Sequence, residues 1–181
     1  MGGPKALLRD PSSGLSFLER ATRALRDGGC VGVTVVVGAA AGEVTAAAAH
    51  LGPDVDLVEC RDWAEGMGAS LRAGLEALAG SDVDAVLVTL VDLPDVGPTV
   101  VRRLLDDAGD LRAALARAAY GGVPGHPALI GRDHWAGVIA TATGDRGARE
   151  HFRTHPHRLV EAGDLATGRD VDHPGDLDEP T

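Results

Sequence analysis

Residues 84–92 read DAVLVTLVD, an apolar run broken only by Thr89 and closed at each end by aspartate. A strand with one face in water alternates apolar and polar side chains, and this run does not. It is the pattern of a strand covered on both faces, which belongs to parallel sheets with helices packed above and below. Asp92 then stands at the carboxyl end of that strand, directly before Leu93 and Pro94.

The flanking sequence repeats the alternation that such a sheet needs. VGVTVVVG (31–38) is a β-branched run stopped by glycine, and VDLVEC (55–60) is a shorter strand. Leu15, Leu18, Thr22 and Leu25 share one helical face, and Leu71, Leu75 and Leu78 share another. Gly97 and Pro98 start a helix through TVVRRLLDDAG, which Gly109 stops. HPALIG (126–131) and HRLVEA (157–162) read as strands nearer a sheet edge. The alanine-rich stretches AAAGEVTAAAAH (39–50) and RAALARAAY (112–120) are helix-prone. Strand and helix patterns in turn indicate βαβ units around a mostly parallel sheet.

Composition bounds the function. With 181 residues, 44% of them hydrophobic, the chain reads as a single domain spanning 1–181, large enough to bury about 70% of its unfolded surface. A net charge of −10 argues against nucleic acid or an anionic membrane as partner. A polyanionic ligand then needs a metal or a few placed cations. Two cysteines, Cys30 and Cys60, are too few to staple the chain and point to a reduced, cytoplasmic setting. No charged start leads into an apolar run, and no uncharged apolar stretch is long enough to span a bilayer, so neither export nor anchoring is expected.

Ligands in open α/β sheets sit at the carboxyl ends of strands, which singles out a few residues. Asp92 reads either as an oxygen ligand for a hard divalent cation or as the cap of a turn. In DWAEGMGASLRAGLEAL (62–78), Gly66 and Gly68 allow a close backbone approach. Ser70 and Arg72 follow in the first turns of a helix whose free N–H groups suit an anion. In YGGVPGHPALIG (120–131), Gly125 and Pro127 restrict the backbone around His126. Asp172, in RDVDHPGDL, can add a second carboxylate to a metal held by Asp92. Lys5, in the opening MGGPK with Gly2 and Gly3, is a cation able to stabilise phosphoryl charge.

Taken in order, GGPKALL, GMGASLRAGL, LVDLPDV, GHPALIG, GDRGAR and DVDHPGDL resemble the molybdenum-cofactor nucleotidyltransferases of the MocA and MobA type. The resemblance implies a Rossmann-like nucleotidyltransferase domain, α/β and three-layered. It implies an enzyme that uses Mg²⁺ to join a nucleoside monophosphate from CTP, or less closely GTP, to a phosphorylated acceptor such as molybdopterin, releasing pyrophosphate. Carried onto this chain, Lys5 matches the lysine that contacts the triphosphate, and Asp92 matches the aspartate that holds the metal. Asp172 falls where related enzymes place a second metal carboxylate. Gly2, Gly3, Gly66, Gly68, Ser70 and Arg72 fall to the nucleotide, and Gly125 and His126 to the acceptor. A molybdoenzyme or its maturation factor becomes a possible protein partner.

Members of that family begin with a strand and a loop of the form LAAGxGxRMGxPK, whereas this sequence opens at the methionine of that motif. The first strand and most of the phosphate-cradling loop are therefore expected to be missing, leaving two strand edges without a neighbour. Cys60 stands where the family usually has asparagine. Two alternatives follow: a non-catalytic module that binds a nucleotide or the cofactor, and a guanylyltransferase for molybdopterin or a phospholactate-type acceptor.

Overall fold

The structure, a computed structural model, describes residues 3–171; the expected contributions of Gly2 and Asp172 lie outside them. Helix α1 (Phe17–Gly28) starts at Ser16, whose side chain accepts from the Glu19 N–H while the Glu19 carboxylate accepts from the Ser16 N–H. This capping box places Leu15 outside the helix and leaves Leu18, Thr22 and Leu25 on its buried face. The Val33–Val37 run forms β1, Ala41–Ala48 forms α2, and Val55–Glu59 forms β2, parallel to β1. Then come α3 (Met67–Ala77), β3 (Ala85–Val88) and α4 (Pro98–Asp107), the last with Pro98 in its first turn as the sequence suggests. Beyond α4 lie β4 (Leu115–Tyr120), β5 (Val123–Gly131), α5 (Trp135–Thr141), α6 (Arg149–Thr154) and β6 (Arg158–Glu161).

The strands form two sheets, β1-β2 and β3-β5-β4-β6. Pairs β1/β2 and β4/β6 are parallel, while β5 runs antiparallel to both of its neighbours. Two sequence expectations are corrected here. RAALARAAY supplies β4 rather than a helix, because Ala116, Ala118 and Ala119 are 0–1% exposed between strands, where burial and ladder hydrogen bonds outweigh alanine's helical preference. HPALIG lies inside the sheet, between β3 and β4, whereas HRLVEA does form an edge strand.

Helices cover both faces of the larger sheet. On one face α4 presses Val100 and Leu104 against Ala116, Ala118 and Leu129. On the other, α3, α5 and α6 bring Leu75, Val138 and Phe152 onto Leu115, Ala128 and Ile130. The smaller sheet is continuous with this core through Leu25, Val101 and Leu105, which touch Val33, Val35 and Leu87. Among the described residues β1 and β3 are not paired with each other, so each has one edge without a strand partner. No helix among them is long and apolar enough to cross a membrane.

Candidate functional site

β3 ends at Val88, and the next residues turn so that Asp92 lies beyond the strand's carboxyl end. Three contacts hold that turn. The Asp92 carbonyl accepts from the Val171 N–H at 2.9 Å. The Asp95 carboxylate accepts from the Thr167 N–H and hydroxyl, at 2.5 and 2.6 Å. From α1, the Arg20 guanidinium donates both to the Pro94 carbonyl and to the Asp10 carboxylate. Burial alone would raise the Asp10 pKa, but hydrogen bonds from Ser12 and Ser13 and the Arg20 charge outweigh it and hold that carboxyl at about 2. Asp10 is therefore the charged anchor of a strut that ends on the Asp92 turn.

Lys5 opens a short 3-10 turn whose Ala6 and Leu7 pack against Val37, Leu18 and Val91. This packing brings Lys5 beside the Asp92 turn, and its Nζ reaches Asp92 Oδ2 at 2.9 Å. The Asp92 side chain keeps 19% of its surface exposed. Its neighbour toward β5 is His126, whose pKa is pushed down to about 4 by burial and by the Arg117 guanidinium, against the opposing pull of Asp92. The imidazole is therefore neutral at neutral pH. The Tyr120 hydroxyl donates to the His126 carbonyl at 2.7 Å, and Arg117 Nε donates to the Gly125 carbonyl at 3.3 Å. Burial, reinforced by Asp95, pushes the Tyr120 pKa up to about 12, so the hydroxyl keeps its proton for that bond.

The glycine loop before α3 packs on another loop of the chain. A Cβ on Gly68 would lie 2.8 Å from the Thr143 nitrogen, and one on Gly66 would lie 2.6 Å from the Gly144 carbonyl carbon. Gly66 also has φ +109°, which an L side chain rarely adopts. The Arg72 guanidinium donates to the Ala142 carbonyl at 2.5 Å and pairs with Glu65 at 2.8 Å. The close approaches at Gly66 and Gly68 and the Arg72 bond to Ala142 therefore hold the 66–72 segment against residues 142–145. Ser70 is half-buried in the following turn. Because the Gly68 neighbour is backbone, Gly68→Ala must push the two loops apart, at a cost of about 2 kcal/mol. Chemical denaturation should read that loss, with nucleotide binding weakened as well.

Among the expected residues, Lys5 and Asp92 meet directly and His126 joins them through its electrostatic coupling to Asp92. Gly66, Gly68 and Arg72 join the α3 side of the molecule to the 142–145 loop. Gly3 lies in the bend before Lys5, with open space around its Cβ position. The roles of Asp10, Arg20, Asp95, Arg117 and Tyr120 escape a sequence reading, since each depends on a contact that only the fold makes: Arg20 on Asp10 and Pro94, Thr167 on Asp95, Arg117 on Gly125 and Tyr120 on His126. Among the described residues no three His, Cys, Asp or Glu side chains converge into a metal-binding group. One carboxylate at a strand end still fits Mg²⁺, which is commonly held by one or two carboxylates together with substrate phosphates. Cys30 and Cys60 are free thiols, the latter buried.

Comparison with known proteins identifies the family. Residues 1–159 match the MobA-like NTP transferase domain. A relative from Paenarthrobacter nicotinovorans, nicotine blue oxidoreductase, is 37% identical over 94% of this chain and 84% of its own. Among solved structures, Rv0371c from Mycobacterium tuberculosis H37Rv is 30% identical with a TM-score of 0.74, covering 97% of this chain and 88% of that one. The same protein is also known in complex with manganese, at a TM-score of 0.71 and 28% identity over 93% of this chain and 87% of that one. A nucleotidyl transferase from Methanothermobacter thermautotroptrophicus, Mth528, superimposes with a TM-score of 0.75 at 26% identity, over 95% and 81% of the two chains.

Proposed function

The chain belongs to the MobA-like NTP transferase family, and we propose that within it the protein is a Mg²⁺-dependent cytidylyltransferase acting on a phosphorylated acceptor of the molybdopterin type. The observation that carries this reading is the contact of Lys5 Nζ with Asp92 Oδ2, 2.9 Å, at the carboxyl end of β3. A cation and a carboxylate placed together there suit a metal triphosphate, with Asp92 taking the metal and Lys5 the phosphates. The Val171 N–H on the Asp92 carbonyl brings the chain back to this turn one residue before Asp172, the proposed second carboxylate. Manganese bound to Rv0371c supports a divalent cation for this chain.

In the proposed reaction an oxygen of the acceptor's phosphate attacks the α-phosphorus of CTP. The bond between the α-phosphorus and the bridging oxygen breaks, and pyrophosphate leaves with that electron pair. A phosphate oxygen is already anionic, so the step needs no base, and a neutral His126 is compatible with it. Lys5 balances charge on the leaving pyrophosphate, while Gly66, Gly68, Ser70 and the Arg72 clamp shape the nucleotide side and Gly125 and His126 the acceptor side. The bound cation would neutralise charge that builds between the phosphates. We place the reaction in one domain, residues 1–181, in the cytoplasm, with a molybdoenzyme or its maturation factor as recipient of the product.

The experiment is pyrophosphate release from CTP, GTP, ATP and UTP with molybdopterin, with and without Mg²⁺. Release with CTP alone supports the proposal; release with GTP alone selects a guanylyltransferase, and a phospholactate acceptor then separates its two forms. Nucleotide binding without release selects a non-catalytic module. The name of the Paenarthrobacter relative supports a second reading, an oxidoreductase. Reduction of nicotine blue in place of pyrophosphate release would select it.

A further inference from the structure

Arg117 is a half-buried guanidinium in the middle of β4, a place where an unpaired charge is costly. Its side chain crosses toward α6, with Cζ 5.4 Å from the centre of the Phe152 ring, and its Nε is spent on the Gly125 carbonyl. No ion pair joins it to a carboxylate among the described residues, in contrast to Arg20, Arg26, Arg72, Arg103, Arg112, Arg153 and Arg158. Its charged neighbours are instead His126 and a second arginine, exposed Arg149 at the start of α6. His126 follows the Gly125 whose carbonyl Arg117 holds, and it feels the charges of both this guanidinium and Asp92. In a chain of charge −10, a half-buried guanidinium with no carboxylate partner among the described residues and a second arginine as its charged neighbour leaves positive charge uncompensated beside the Gly125 carbonyl.

We propose that Arg117 and Arg149 form the subsite for the acceptor's phosphate, beside the Gly125–His126 turn and the start of α6. With Nε engaged, the two terminal nitrogens of Arg117 remain to meet two phosphate oxygens in the parallel geometry that guanidinium favours. Arg149 adds charge from the rim. The phosphate held there would present a further oxygen past the neutral imidazole toward the α-phosphorus. The bound anion would supply the counter-charge that β4 lacks. This assignment rests on the nucleotidyltransferase reading for its role but not for its binding chemistry.

Two measurements test it. The first is calorimetric titration with inorganic phosphate, using wild type, Arg117→Met, Arg117→Lys and Arg149→Gln. Arg117→Met should weaken phosphate binding by about 10-fold or more, Arg117→Lys by less, and Arg149→Gln by about 3-fold, the scale of lost charge-assisted hydrogen bonds. The second is steady-state turnover, where Arg117→Met should raise KM for molybdopterin about 10-fold and leave KM for the nucleotide unchanged. Phosphate binding that depends on Arg117 in a protein without pyrophosphate release leaves the subsite standing and removes the reaction. Turnover with unchanged acceptor KM and phosphate affinity overturns the subsite, and so does a rise in nucleotide KM, which would assign the arginines to the triphosphate. Should Arg117→Met fail to fold by circular dichroism, the exposed Arg149→Gln variant decides the same question: no change in either measurement rejects the proposal.

Discussion

Asp92→Ala is expected to abolish metal-dependent pyrophosphate release, lowering kcat by about 1,000-fold or more, the equivalent of about 4 kcal/mol of transition-state stabilisation. The magnitude follows from its position. Among the described residues no convergent set of His, Cys, Asp and Glu exists that could hold the cation in its place. The turn itself should survive, because its supports act on the backbone and on Asp95: Val171 on the Asp92 carbonyl, Arg20 on the Pro94 carbonyl and Thr167 on Asp95. Manganese binding followed by electron paramagnetic resonance should vanish in parallel with activity while circular dichroism stays unchanged. A control at exposed Asp56 on β2, Asp56→Asn, should leave all three readouts alone. Full activity in folded Asp92→Ala would remove the metal role assigned to this residue.

The contrast between what could and could not be read beforehand has a physical cause. β1 and β3 were legible because burial on both faces favours an almost unbroken apolar run, β2 because its short run of Val55, Leu57 and Val58 stands between turns, and α4 because Gly97 and Pro98 announce a helix start chemically. β4 was not, because an alanine-rich strand has the same letters as a helix and only the sheet around Ala116 and Ala118 chooses between them. Sheet order is equally hidden: the central, antiparallel place of β5 depends on partners far away in sequence. The site divides in the same way. Asp92, Lys5 and His126 were visible because strand ends and glycine-proline turns mark them. The strut from Asp10 through Arg20 to Pro94 was not, since it joins residues 74 apart with ordinary helix letters. Arg72 shows the intermediate case: its loop was legible, but its grip on Ala142 and Glu65 came only with the fold.

Lys5→Met should move two observables in opposite directions, which makes it the sharper test of how the pair works. Without nucleotide, Lys5 Nζ sits on Asp92 Oδ2, so a divalent cation and the ammonium compete for one carboxylate. Removing the ammonium should tighten manganese binding to the nucleotide-free protein by about 3- to 5-fold, the worth of a partly exposed ion pair. Turnover should fall the other way, by roughly 100-fold in kcat, because the cation that balances charge on the departing pyrophosphate is gone. Methionine keeps the length of the side chain, and the packing of Ala6 and Leu7 against Val37 and Val91 holds the turn, so the fold should remain. Lys5→Arg should restore part of the rate, since a guanidinium still offers charge to phosphate but with a different reach. Such a pattern means that the ammonium guards Asp92 until the metal arrives with its triphosphate and then passes to the phosphates. Weaker metal binding together with unchanged turnover would instead make the 2.9 Å contact a structural tie and leave triphosphate neutralisation to other residues.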